Sequence, residues 1–110
     1  MNIKDMARTC QWETLLEGAD ANAITSAYTS DLLSDVMANA HDADLLITIQ
    51  AHNNTVAVAS LAGIKAIVVC NDRTVPDDTL ASAQKEQIAV YRTQTNQFET
   101  SCAVGKLLQS

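Results

Sequence analysis

Gln50, His52, Asn53 and Asn54 follow directly on the apolar run Leu45–Ile49. Their amide and imidazole groups donate and accept hydrogen bonds, and no carboxylate stands among them. Such a set suits recognition of a base, an amide or an anion, and it contains no nucleophile. Asn53 and Asn54 also have the chemistry of a helix cap, and the N–H groups that open a helix can hold an anion. These four residues are the candidate ligand-binding set, with a nucleotide or another small anion as the candidate ligand.

Other chemistry finds less support. The acceptors available to a metal are His41 and His52 with Asp42 and Asp44, and the Asp42/Asp44 pair reads as a solvated turn. No metal site and no cofactor is expected. Neither GxxxxGK[ST] nor GxGxxG occurs, and three glycines are too few for a phosphate cradle. A nucleophile needs a positioned base, and no signature surrounds Ser34, Ser60 or any cysteine. Asp31 and Asp35, four residues apart, read as a solvated helix face. The chain is therefore expected not to be an enzyme. Cys10, Cys70 and Cys102 are odd in number and far apart, which indicates reduced thiols.

Composition narrows the partners. The chain has 110 residues, enough for one domain with a single core. It is 47% hydrophobic and 18% charged, which marks it as globular. With 4% aromatic residues the core must be built from Ala, Val, Ile and Leu, as suits helices lying close on a parallel sheet. The net charge of −6, with seven scattered Lys and Arg, argues against nucleic acid and against an anionic membrane surface. MNIKDMARTC lacks the apolar run of a signal peptide. Gln50, His52, Asn53, Asn54 and Lys65 interrupt the central apolar stretch, so it is no membrane span. A cytoplasmic protein is expected.

The elements that must hold Gln50–Asn54 are read from the same stretch. Leu45–Ile49 is a strand buried on both faces, Asn53 or Asn54 caps the following helix, Gly63 ends it, and Ala66–Val69 is the next strand. Two strands joined through a helix run parallel. Upstream, Asn2 caps a helix with Ile3, Met6 and Ala7 on one face. Gln11–Leu16 reads as a strand alternating Trp12, Thr14 and Leu16, Gly18–Asn22 as a turn, and Ala23–Thr29 as a strand. Ser30 caps a helix with Asp31 in its first turn and a stripe of Leu32, Leu33, Val36, Met37 and Ala40. Downstream, Pro76 starts a helix with Asp77 and Asp78 in its first turn and Leu80 and Ala83 inward. Ile88–Tyr91 is a strand. Asn96 and Glu99 form a capping pair for a last helix through about Leu107. The order β-α-β-α-β-α-β-α from Ala23 predicts an α/β fold, a three-layer sandwich with a mainly parallel sheet. The loops Gln50–Asn54, Cys70–Thr74 and Thr93–Asn96 then fall on one sheet edge and can line one shallow cleft.

Two stretches resemble the DRTGG domain family. Ser30–Ala40, SDLLSDVMANA, is similar to the family's G-D-L-L-S-D-V-M helix, and Ile47–Ala59, ITIQAHNNTVAVA, to its I-T-I-Q-x-H-x-N-x-V-A-V-A segment. The loop Asn71–Thr79 and the terminal TQTNQFETSCAVGKLL are also similar, so the resemblance covers nearly the whole chain. The motif that names the family is matched at Asp20 and Thr25, but its glycine pair is absent. The resemblance implies a fold like the N-terminal domain of HPr kinase/phosphorylase and a regulatory or assembly role as a homodimer. It also implies a setting beside CBS modules, or a protein partner in redox or hydrogenase signalling. It brings no catalytic residue.

Overall fold

The computed structural model describes residues 1–18 and 23–109. These form α1 (Ile3–Thr9), β1 (Glu13–Leu16), β2 (Ala27–Thr29), α2 (Leu33–Asn39), β3 (Leu45–Thr48), α3 (Asn53–Ala62), β4 (Ala66–Val69), α4 (Asp77–Lys85), β5 (Ala89–Arg92) and α5 (Gln97–Leu108). One sheet runs in the order β1-β5-β4-β3-β2. β2 to β5 are mutually parallel, and β1 pairs antiparallel with β5.

Alternation along the strands divides the core in two. Leu46, Ile67, Val69 and Val90 face α2, α3 and α4, where they pack with Val36, Val56, Ala59 and Ala83. Leu45, Ile47, Val68 and Tyr91 face the other way, onto Ile3 and Met6 of α1 and Val104 of α5. The fold is thus a three-layer α/β sandwich on a mainly parallel sheet. Every residue of β3 and of β4 is buried, as their unbroken apolar runs require. Each such Leu, Ile or Val contributes about 1.5–3 kcal/mol by leaving water.

The β3–α3–β4 unit follows the expected boundaries closely. Gly63 has φ 78, a left-handed conformation suited to glycine, and its N–H closes the last turn of α3. Asn2 caps α1 by accepting from the Lys4 N–H at 2.7 Å. The capping pair of α5 is present in both halves. Asn96 Oδ1 accepts from the Glu99 N–H at 2.8 Å, and Glu99 Oε1 accepts from the Asn96 N–H at 3.3 Å.

Other boundaries move, each for a local reason. The strand expected over Ala23–Thr29 is confined to Ala27–Thr29. The N–H and hydroxyl of Thr25 turn instead to the Asp44 carboxylate, and the Ser26 hydroxyl to the Asp42 carbonyl. Ile24 remains buried without being in a strand. The strand expected from Gln11 begins at Glu13, because Gln11 has φ 59 and breaks the extended run. The register of β1 on β5 then shifts between Thr14 and Leu16, which ends its alternation. Ser30 does not cap α2. Its hydroxyl accepts from the Leu32 N–H at 3.1 Å in a turn that precedes the helix, so Asp35 rather than Asp31 occupies the first turn. Leu32 is 61% exposed and leaves the predicted stripe. Pro76 sits at the N-cap position of α4. The turn expected at Gly18–Asn22 and the Asp20 match lie, apart from Gly18, outside the described residues.

Candidate ligand clefts at the carboxyl edge of the sheet

Because β3, β4 and β5 are parallel, the loops that follow them share one edge, as expected. They do not line a single cleft. The loop after β4 is fastened to the loop after β5, with the Asn71 N–H donating to the Thr95 carbonyl at 3.0 Å and the Asp72 N–H to the Thr93 carbonyl at 2.8 Å. Residues 70–74 thereby separate two cavities, one on the β3 side and one on the β5 side.

The first cavity, of about 310 Å³, brings Gln50 and His52 together with Arg73, Thr74 and Pro76. Gln50 is held from two sides. Its backbone N–H donates to Thr48 Oγ1 at 3.1 Å and its side-chain amide to the Asp31 carbonyl at 3.0 Å, which leaves its side-chain carbonyl oxygen as acceptor. His52 is exposed at the N-cap position of α3, and its side chain makes no cap hydrogen bond. The backbone N–H groups of Asn53 and Asn54 have no acceptor among the described residues. No acidic residue lies in the first turn of α3, so the positive end of its dipole is not balanced from within the helix. Arg73 is exposed and makes no ion pair among the described residues.

Asn53 and Asn54 were expected to act with Gln50 and His52, and to cap the helix. Asn53 is instead the first residue of α3. Its side chain points away, toward α4, with Nδ2 3.4 Å from Asp78 Oδ2 and Oδ1 3.5 Å from Ser82 Oγ. Both asparagine side chains line a second cavity of about 310 Å³ between α3 and α4, with Lys85 and Glu86. Only the backbone of Asn53 and Asn54 lies at the helix start beside His52. The 100° step of a helix carries successive side chains to different sides.

A third cavity, of about 320 Å³, was not anticipated. It lies at the end of β5 and holds Cys10, Gln11, Glu13, Asp72, Arg92 and Thr93. Here the chain leaves β4 for α4 on one face and β5 for α5 on the other, the kind of switch point at which open sheets hold ligands. Arg92 donates through Nε and Nη2 to Glu13 Oε1 at 3.0 and 2.7 Å, and Asp72 Oδ1 lies 3.6 Å from Nε. Two carboxylates therefore already face the single guanidinium. Burial pushes the Cys10 thiol upward, away from the thiolate that a nucleophile requires. Strand order and pairing locate this cavity, and neither is written in local sequence. Arg73 did carry a local signal, as the one basic residue in the polar loop after β4.

The acceptors considered for a metal do not converge. His41 precedes β3 and His52 follows it, and Asp44 is engaged by Thr25 and by Lys65 Nζ at 3.4 Å. Among the described residues no group of three or more His, Cys, Asp or Glu could hold a metal ion. Cys10, Cys70 and Cys102 are free thiols. Among the described residues no helix is long and apolar enough to cross a membrane.

Fold and edge together define a three-layer α/β domain with hydrogen-bonding clefts at its strand carboxyl ends. No protein-family model matches the chain, and no curated protein matches it.

Proposed function

We propose that the chain is a non-catalytic regulatory module that senses a small anion, such as a nucleotide, at the cleft of Gln50, His52 and Arg73. One observation carries this reading. His52, at the N-cap position of α3 with no side-chain cap, shares this cleft with an Arg73 that has no carboxylate partner among the described residues. A guanidinium and an imidazole at one cleft, beside a helix start, suit a phosphate or carboxylate oxygen. The resemblance to the DRTGG family supports a regulatory role over a catalytic one.

A thermal-shift series with inorganic phosphate, AMP, ADP and ATP tests the reading. A ligand at 100 times its dissociation constant stabilises by about 2.7 kcal/mol, and Arg73→Ala should lose most of that shift. No shift with any of the four would refute the anion reading.

A second reading, assembly as a homodimer, draws on exposed apolar side chains. Leu32 and Phe98 are 61% and 76% exposed, and burial of large apolar side chains is what a subunit contact supplies. Size-exclusion chromatography with light scattering tests it, and a strict monomer at high concentration would remove it.

A further inference from the structure

Two residues of α5 face outward with features that one copy of the chain does not use. Phe98 presents a large apolar ring to water. Gly105 sits inside the helix, where glycine costs about 0.5–1 kcal/mol relative to alanine. Neither its backbone conformation nor its surroundings ask for glycine. Its φ is not positive, and a Cβ added there would meet nothing within 4 Å. The missing side chain leaves room for a neighbour from outside the single chain.

The two residues lie seven apart, which is two turns and about 10.5 Å along the helix. With Cys102 between them they form one face. Cys102 is exposed, whereas Thr100 and Val104 are buried on the opposite side of α5. Ser101, on the flank, is tied to the sheet through a 2.7 Å contact between its hydroxyl and that of Thr29. The outward face is self-complementary under a two-fold rotation through Cys102. Antiparallel pairing of α5 with its own copy sets Phe98 against Gly105 of the partner subunit, and Gly105 against Phe98 of the partner subunit. The same rotation sets Glu99 beside Lys106 of the partner subunit and brings the two Cys102 thiols together. Glu99 and Lys106 are the charged residues of α5. The face is therefore neutral in a chain of net charge −6, and a second copy approaches it without the repulsion it would meet elsewhere.

We propose that the outward face of α5, formed by Phe98, Cys102 and Gly105, is a two-fold interface with a second copy of this chain. The phenyl ring of each copy seats in the space left open at Gly105 of the other. A glycine one turn from the crossing leaves room for the ring of the other copy, and a patch that contacts itself is what a two-fold dimer requires. The proposal rests on the homodimer reading above and names its surface.

Light scattering and thiol cross-linking test it together on the intact chain. The wild type should run as a dimer, and a short bis-maleimide should link two chains through Cys102, with the link absent in Cys102→Ser. Phe98→Ser should raise the dimer dissociation constant at least tenfold. Gly105→Leu fills the space in a helix-compatible way, so it should break the dimer while the circular dichroism of the monomer is unchanged. A dimer that survives both substitutions and does not cross-link at Cys102 overturns this surface while leaving the homodimer reading intact. A wild type that stays monomeric at every concentration overturns both.

Discussion

Asp44 accepts from both the backbone N–H and the hydroxyl of Thr25, at 2.9 and 3.0 Å through a single carboxylate oxygen. Its other oxygen lies 3.4 Å from Lys65 Nζ. One side chain thus ties together the segments that enter β2, β3 and β4. Burial alone would raise its carboxyl pKa, but the Thr25 bonds and the Lys65 charge outweigh that and hold it below the ordinary value. A lowered folded pKa means that the stabilisation is complete above the unfolded pKa of about 3.9 and is lost as pH falls through the folded value. Asp35, lowered by its hydrogen bonds from Tyr28 and Asn39, acts with the same sign. We predict that Asp44→Ala costs about 1–2 kcal/mol at neutral pH and makes the loss of stability below about pH 4 shallower. Urea unfolding across that range measures it, and an unchanged acid slope would contradict the assignment.

Gly63 and Gly105 should respond to alanine with opposite signs. Gly63 has φ 78, so Gly63→Ala is expected to destabilise by about 1 kcal/mol. Gly105 is helical and open, so Gly105→Ala should stabilise the isolated subunit by about 0.5–1 kcal/mol. Denaturant melts at low protein concentration compare the two.

Removing the capping box should loosen α5 from its first turn. Asn96→Ala is expected to cost about 1 kcal/mol, with faster amide exchange at Phe98 and Glu99 than at Val104. Uniform exchange along α5 would show that the cap does not control the helix start.

The three thiols should separate by reactivity. Cys102 is exposed and should react first with a disulfide reagent in the isolated subunit. Cys10 should follow slowly, since partial burial raises its thiol pKa. Cys70 is fully buried, its pKa is also raised by burial, and its thiol lies 3.4 Å from Thr100 Oγ1, so it should react only as the chain unfolds. Mass spectrometry of timed labelling gives the order.

The central β3–α3–β4 unit was legible because its determinants are local. An unbroken apolar run makes a buried strand, a left-handed glycine ends a helix, and both can be read without knowing any neighbour. The capping box of α5 was legible for the same reason. Caps with more than one nearby candidate were harder. Ser30 and Asn53 have the right chemistry for capping, but the helices begin at Leu33 and Asn53, and the N-cap positions fall to Leu32 and His52. That displacement of one or two residues sent the side chains of Asn53 and Asn54 to a different cleft from Gln50 and His52. The shortening of β2 was hidden too, because Thr25 finds its partner 19 residues away at Asp44. The cavity around Arg92 depends on β1 closing against β5, a pairing that no local pattern announces.

That pairing bears on the order in which the molecule can assemble. Each of β3, β4 and β5 lies beside the strand made just before it, so this part of the sheet can grow as the chain emerges. β1 is different. Glu13 meets Arg92 across 79 residues, and the Trp12 ring packs at a tilt with its centre 5.9 Å from that of Tyr91 in the same strand. The first strand synthesised is left without a sheet partner until the last has been made, and such distant closures are the slow step in folding. A ribosome-bound chain halted before Ala89 would hold Trp12 and both leucines of β1 in waiting, open to any chaperone that favours apolar segments.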